Sequence, residues 1–565
     1  MKKLKALVQG EQTTLLRGVN WLVIGLLTAI LVFAVMVPIY ADEVGLRMMR
    51  TGFFSENQRI LTLLPQCSPD LGLPIPWSWY PAAIGVSLTV GTLQPIGIRI
   101  VGIATALLWV CLLVMLLRLL VRGAHEQVSW LAGISAILGL GILPLTLTLA
   151  RSEQWLLVLL TLFVVLPIGA ARSNRPQSGW SMIGLLAVFC VAISLAFYAH
   201  PKALFFFPLF ATSAYYIFRG KSHLAFWIAA AFLLWSTYQT LKFVQLSVAC
   251  PDAPIFGAYM ASQTSKLGLL FEAPIATLGE LWGNLLAAPD AMIIHLLFQP
   301  AYQSAWLPPA PVPEISEPAR LANLAISSVF RLVIWAAVLL PLLALALSIK
   351  RRDFGYLFFI IPALWVGLVG HLAIYKMWNF YGGALVIGLA VISILLSAVQ
   401  IRWTERAGNL WCCLHIGLAL VFFGSASILA TAIVPEMYRA IDSEVVGLEK
   451  QPISVPTFGF SSQRAKIREF AAGCSLQGDG ARRLVVDDLT YFAFDDLREP
   501  LHLVYFYEGG FGVDVKGIAA IRMLEKLGVE GIVAQCTFMP ALIMERVRRD
   551  GNLCCIKFPL ENVGG

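Results

Sequence analysis

A succession of long apolar runs, parted by short polar connections, constrains this chain more than any other feature. Runs at about 19–40, 98–120, 129–149, 154–171, 180–198, 203–218, 224–241, 326–349, 356–374, 381–399 and 411–434 approach the length a helix needs to cross a bilayer, roughly 20 residues. In lipid the backbone must satisfy its own hydrogen bonds, so runs of this length predict helices. Composition agrees: 58% of residues are apolar and 13% charged, against about 25% charged in soluble domains. The sequence therefore predicts an α-helical polytopic membrane protein of about eleven spans. The first run is too long, and too poorly followed by a small-residue cleavage site, for a removable signal peptide.

The net charge of +8 is explained by its placement. Basic residues gather between alternate runs: Lys2, Lys3, Lys5 and Arg17; Arg118 and Arg122; Arg172 and Arg175; Arg219 and Lys221; Lys350, Arg351 and Arg352; Arg402 and Arg406. All fall on one side if every run crosses once, the positive-inside pattern. This predicts a cytoplasmic amino terminus, an outer carboxyl terminus and no nucleic-acid partner. No Asn-x-Ser/Thr acceptor occurs, which favours a bacterial inner membrane over a glycosylating compartment.

Two outer connections are long, 41–97 and 242–325. The first carries Trp77-Ser78-Trp79-Tyr80 among prolines, a composition suited to the headgroup region. In the second, Leu278 to Gln299 is too polar for a span and reads as a helix in the interface or folded back into the bundle. Residues 1–435 thus form the membrane domain and 436–565 an extracytoplasmic α/β domain. In the tail, strand-like runs (Leu484–Asp487, Leu501–Tyr507, Gly531–Cys536, Cys554–Phe558) alternate with helical ones (Gln463–Ala472, Val515–Leu527, Ala541–Asp550). Such alternation predicts a largely parallel sheet.

Cys111, Cys190, Cys412 and Cys413 fall within apolar runs and read as small core residues. The other six lie on the outer, oxidising side, where disulfides are allowed. Cys67 with Cys250 would tie the two long loops and Cys474 with Cys536 would staple the tail, although spacing leaves the pairing open.

Ionisable residues collect at the outer ends of the spans. Asp42 and Glu43 follow the first run, Arg99 opens the second, and the short outer turns hold Arg151 with Glu153, His200 with Lys202, and Lys376. Cations at the interface suit a phosphate whose hydrocarbon tail stays in lipid, and a carboxylate beside them suits proton removal from an attacking hydroxyl. The plainer readings are that Arg99 and Lys202 snorkel to headgroups, that Arg151 pairs with Glu153, that Glu43 pairs with Arg47, and that His200 is a lone interface histidine. Asp487-Asp488 and Asp495-Asp496 read as solvated acids at strand ends. No HExxH, CxxC pair or Walker loop is present, so nucleotide hydrolysis finds no support.

Tyr40-Ala41-Asp42-Glu43, Pro95 to Arg99, Leu149-Ala150-Arg151-Ser152-Glu153, Tyr198-Ala199-His200-Pro201-Lys202 and Asn379-Phe380-Tyr381-Gly382-Gly383, in this order and on one side, resemble the GT-C superfamily of integral membrane glycosyltransferases, of the lipid A aminoarabinose transferase and protein O-mannosyltransferase type. The WWDYG signature of oligosaccharyltransferase catalytic subunits is absent. The resemblance spans residues 19–434. It implies a polyprenyl-phosphate-linked sugar donor, a glycan or glycolipid acceptor, and inverting displacement. It further implies that Asp42, with Glu43 beside it, acts as general base or orients the acceptor. Arg99, Arg151, Lys202, Lys376 and His200 would bind the donor phosphate, and Glu153, Asn379 and Tyr381 would support the acceptor. No metal ligand set is assigned, although a divalent cation between Glu43 and His200 is left open. The rival expectations are a lipid-linked glycan transporter or flippase, a non-catalytic assembly protein, and an O-antigen ligase or polymerase.

Overall fold

The computed structural model describes residues 2–37, 39, 43, 95–172, 179–249, 258, 261–298, 317–402, 408–433, 457–458, 460–476, 483–491, 493–494, 500–502, 521–522, 524–525, 528–536, 539, 543–551 and 553–558. Helix α1 (Lys2–Phe33) runs into a 3-10 turn, Ala34–Met36, and α2 is Pro95–Leu120. Then follow α3 (Ala124–Leu138), α4 (Leu143–Leu147), α5 (Ser152–Arg172) and α6 (Gly179–Ala199). A 3-10 segment, Pro201–Phe206, leads into α7 (Phe207–Ala214), a π turn (Tyr215–Arg219) and α8 (His223–Val248). The membrane part is completed by α9 (Pro274–Ile293), α10 (Glu317–Arg351), α11 (Tyr356–Ile374), α12 (Phe380–Ile401) and α13 (Gly408–Ile428).

The chain is a polytopic helical membrane protein. Among the described residues, nine helices are long and apolar enough to cross a membrane. Their outward faces carry large apolar side chains such as Trp21, Phe33, Trp227, Leu332 and Leu339, the reverse of a water-facing surface.

Two of the eleven predicted spans are interrupted. The run 129–149 divides into α3 and α4 at Gly139 and Gly141, the latter at φ +57. A Cβ on Gly141 would lie 2.0 Å from the Leu296 carbonyl oxygen, and Pro144 then restarts the helix at its first turn. The run 203–218 passes from 3-10 through α to π geometry. Helix α12 is the most enclosed span, packed between α10, α11 and α5. Cys111, expected in the core, is exposed on α2, and Cys190 is half-buried.

The tail is a five-stranded mixed sheet with order β2-β1-β3-β5-β4, formed by β1 (Arg483–Val486), β2 (Pro500–His502), β3 (Val529–Gln535), β4 (Arg548–Asp550) and β5 (Leu553–Lys557). Strand β1 pairs parallel with β2 and β3, but β5 pairs antiparallel with β3 and β4. The sheet is therefore mixed rather than largely parallel. The expected helix Ala541–Asp550 is also corrected. Its end forms β4, which turns back through Gly551 at φ +57 into β5. Helix α14 (Phe460–Ala472) covers one sheet face. Most of the predicted helix 515–527 lies outside the described residues.

The disulfides are Cys474–Cys555 and Cys536–Cys554, so the expected Cys474–Cys536 pair does not form. Successive residues of a strand point to opposite faces, which sends Cys555 into the α14 layer and Cys554 into the layer beyond. Cys67 and Cys250 lie outside the described residues. Asp487 is no solvated acid: it is fully buried and accepts from the backbone N–H of Thr490 and of Gln535. The α14-side core also takes in Ile39, Ile98 and Ala150, so the tail is seated directly on the bundle end where α1 finishes and α2 begins.

Candidate active site

The bundle end under the tail carries two polar centres. The first is a buried corner. Pro95 occupies the first helical turn of α2, where its missing N–H costs nothing, and one turn later Arg99 enters the protein at 0% exposure. Arg99 donates to Glu43 Oε2 at 2.9 Å, to the Val37 carbonyl at 3.0 Å and to the Thr148 carbonyl at 2.9 Å. The other Glu43 oxygen accepts from the Ala150 N–H at 2.7 Å. Three chain segments are thus joined by one ion pair. Gly102 permits the approach, since a Cβ there would lie 1.9 Å from the Thr148 oxygen.

The second centre is built around Glu153. This residue sits in the first turn of α5, where the helix dipole favours a carboxylate. Helix α6 stops before Pro201 because proline disfavours helical geometry in its predecessor, and His200 accordingly adopts φ −162 and ψ 138. The chain bends back and brings Lys202 to Glu153. Lys202 Nζ lies 3.1 Å from Oε1, His200 Nε2 3.4 Å from Oε1, Arg151 Nε 3.8 Å from Oε2, and the Ser152 hydroxyl donates to Oε2 at 3.1 Å.

Protonation follows from this geometry. His200 Nδ1 accepts from the Lys202 backbone N–H at 3.1 Å, so the proton of the neutral ring is on Nε2, facing Glu153. Burial, then the neighbouring Lys202, push the His200 pKa down against the pull of Glu153. For Lys202 burial acts downward, but Glu153 and Tyr375 outweigh it and hold the ammonium above the ordinary lysine value. With His200 neutral, the Glu153 carboxylate faces two cations, Arg151 and Lys202.

Aromatic rings back both cations. The Arg151 guanidinium lies 4.4 Å from the Tyr381 ring centre and Lys202 Nζ 4.5 Å from that of Tyr375. Beyond Tyr375 lie His371 and Trp378, with ring centres 5.3 Å and 5.4 Å away. Sequence reasoning missed Tyr375 and His371. The one signal for Tyr375 was its place beside Lys376 in a short turn, and interfacial aromatics are too common for that to single it out.

Of the expected residues, the structure brings together Arg151, Glu153, His200, Lys202 and Tyr381. Glu43 and Arg99 form the separate corner, and neither Arg99 nor Lys202 snorkels: both are buried. Lys376 pairs with Glu280 at a partly exposed edge. Asn379 caps α12, its Oδ1 accepting from the Gly382 N–H at 2.7 Å. Asp42 lies outside the described residues. A divalent cation bridging Glu43 and His200 does not fit. Glu43 is engaged by Arg99 and Ala150, whereas His200 turns to Glu153. No group of three or more metal-ligating residues occurs among the described residues.

The sequence matches no family model and no curated protein. Among solved structures, the chain is similar to ArnT from Cupriavidus metallidurans bound to undecaprenyl phosphate, at 13% identity and a TM-score of 0.44, over 96% of this chain and 97% of that one. It is also similar to the archaeal oligosaccharyltransferase AglB from Archaeoglobus fulgidus in complex with an inhibitory peptide and a dolichol-phosphate. There the identity is 11% and the TM-score 0.43, over 91% of this chain and 69% of that one.

Proposed function

We propose that this chain is an inner-membrane glycosyltransferase that moves one sugar from a polyprenyl-phosphate carrier to an extracytoplasmic glycan or lipid acceptor. The observation that carries this reading is the gathering of Arg151, Lys202 and His200 around Glu153 at the ends of apolar spans. A phosphate there meets fixed cations backed by tyrosine rings, while its hydrocarbon tail remains between helices and lipid. In the reaction the acceptor oxygen attacks the anomeric carbon and its proton passes to a carboxylate. The bond from that carbon to the phosphate oxygen breaks on the opposite face, inverting the centre. Arg151 and Lys202 stabilise the charge growing on the departing phosphate, and the His200 Nε2–H adds a donor.

Asp42 is the proposed base. Its neighbour in sequence, Glu43, is tied to the Ala150 N–H directly and, through Arg99, to the Val37 and Thr148 carbonyls. In this reading the amino terminus lies in the cytoplasm and the tail outside, as the positive-inside pattern predicts. A transporter would hold its ionisable groups near the midplane, but Glu153, His200 and Lys202 all sit at helix ends. The test is transfer from a defined polyprenyl-phosphate sugar by purified protein in vesicles. Asp42→Asn should fold and bind donor but give no product, and Arg151→Gln should weaken donor binding. Full transfer by Asp42→Asn would refute the base, and unchanged binding in Arg151→Gln would refute the phosphate site.

A further inference from the structure

Helix α9 is built inside out for a helix at an aqueous surface. Its polar side chains turn toward the protein: Thr277 is buried, Glu280 accepts from the Ser265 hydroxyl at 2.9 Å, and Asn284 donates to Ser265 Oγ at 2.9 Å and to the Ala373 carbonyl at 3.0 Å. Its outward stripe is apolar. Ile275, Leu278, Trp282 and Leu286 are exposed, preceded by Phe271 at 94%. Glu272 stands at the start of that stripe, and from Ile275 to Leu286 the stripe's own residues are uncharged. Yet α9 is not among the helices apolar enough to cross.

Two ion pairs, one half-exposed and one exposed, fix its level. Glu280 pairs with Lys376, just past the end of α11, and Asp290 pairs with Arg331 on α10 at 2.7 Å. Helices α10 and α11 are neighbours joined by the short connection 352–355. From Arg351 back to Arg331 is about 30 Å of helix, and α11 itself rises about 28 Å. Both distances match the hydrocarbon core of a bilayer, about 30 Å. Arg331 and Lys376 therefore stand at one membrane level, at the bundle end that carries the tail and the Glu153 cluster (the mouth side), and the ~15 Å of α9 between its two pairs runs along that level. Helices α10 and α11, which pack against α9, likewise expose apolar residues, Leu332 and Leu339 on the first and Phe359 and Val366 on the second.

We infer that α9 lies in the boundary between headgroups and acyl chains of the mouth-side leaflet, with phospholipid as the occupant of its outer face. Its anchor reaches the active site. Ser265 N–H donates to the Ile374 carbonyl and Lys376 N–H to the Gln263 carbonyl, which brackets Tyr375 under Lys202. Helix α9 thus sets the depth of the Lys202–Tyr375 floor relative to lipid phosphates. Only this last consequence rests on the transferase reading, and the placement is tested without activity.

The experiment places p-benzoylphenylalanine at Leu278, at Trp282, or at Glu317 in the full chain, reconstituted in phosphatidylethanolamine and phosphatidylglycerol vesicles. Glu317 is exposed at the start of α10, about 20 Å beyond Arg331 along the helix. Irradiation should give protein–phospholipid adducts, read by mass, severalfold more often at 278 and 282 than at 317. Equal yields at all three sites, or no lipid adduct at 278 and 282, would overturn the placement. Crosslinks from 278 or 282 to a second copy of the chain would also overturn it and make this face an interface between copies. Absence of glycosyl transfer would leave the adduct pattern unchanged and so bears on the function alone.

Discussion

Glu153→Gln is the most informative single change, because it keeps the shape of the side chain and removes the charge that two cations share. Lys202 lies 3.1 Å away, and the pair is 3% and 1% exposed. Removing one partner of such a pair strands the other in a low-dielectric site, at a cost of roughly 3–5 kcal/mol. Removing both charges relieves most of this, since neutral replacements of a buried pair are often near neutral in stability. Lys202→Met alone should fall in the same range, with about 1–2 kcal/mol of it from the lost contact over Tyr375. The double variant Glu153→Gln/Lys202→Met should therefore unfold far closer to the native protein than the two single costs would sum to. Equilibrium unfolding by SDS in mixed micelles, run on all four proteins, gives the coupling energy of the pair. We expect about 2 kcal/mol or more. The same double variant should bind and turn over a polyprenyl-phosphate sugar poorly, which separates the stability of the cluster from its chemistry. If the single costs stay below about 1 kcal/mol, or simply add, the ion pair is not the buried, mutually dependent unit that the reasoning requires.

Acid should weaken the fold through His200. Its folded pKa lies below the ordinary 6.5, so as pH falls through that value the unfolded chain takes up a proton the folded one resists, and stability drops. The difference in unfolding free energy between wild type and His200→Asn should narrow from pH 7 to pH 5; a constant difference would contradict a neutral, half-buried imidazole. Arg99→Lys should cost about 1–3 kcal/mol, because one ammonium does not serve Val37, Thr148 and Glu43 together; an unchanged unfolding midpoint would show the corner to be dispensable. Peptide mapping without reduction should recover Cys474–Cys555 and Cys536–Cys554. The first closes an 81-residue separation and the second an 18-residue one. By loop entropy, loss of the first should cost about 4.5 kcal/mol and loss of the second about 3 kcal/mol, and the reverse order in denaturant titrations would speak against that account.

The spans were legible because length and apolar content are local and strong. What breaks 129–149 is less so: Gly139 and Gly141 are small residues tolerated in many membrane helices, and the turn is forced by contact with Leu296, more than a hundred residues away. Ala541 to Val547 offers apolar residues at helical spacing, yet the strand at its end is decided by pairing with β5, which no local pattern reports. Cysteine pairing was beyond reach for the same reason. At the site, Arg151, Glu153, His200 and Lys202 could be nominated because ionisable residues gather there at several span ends on the side opposite the basic clusters. That Glu153 would be the hub, while Glu43 and Arg99 withdraw into a corner of their own, depends on how α2, α5 and the turn after α6 approach one another. Tyr375 and His371 carried no charge signal and were invisible.

The adjacency of Cys554 and Cys555 makes oxidation a check on strand alignment. Each sulfur is committed to an opposite side of β5, one to a residue beyond α14 and one to a residue after β3. Slipping β5 by a single position would exchange the two sides and carry both thiols away from their mates. A misaligned sheet therefore stays reduced, and the two bonds close together only when every strand around them is in step.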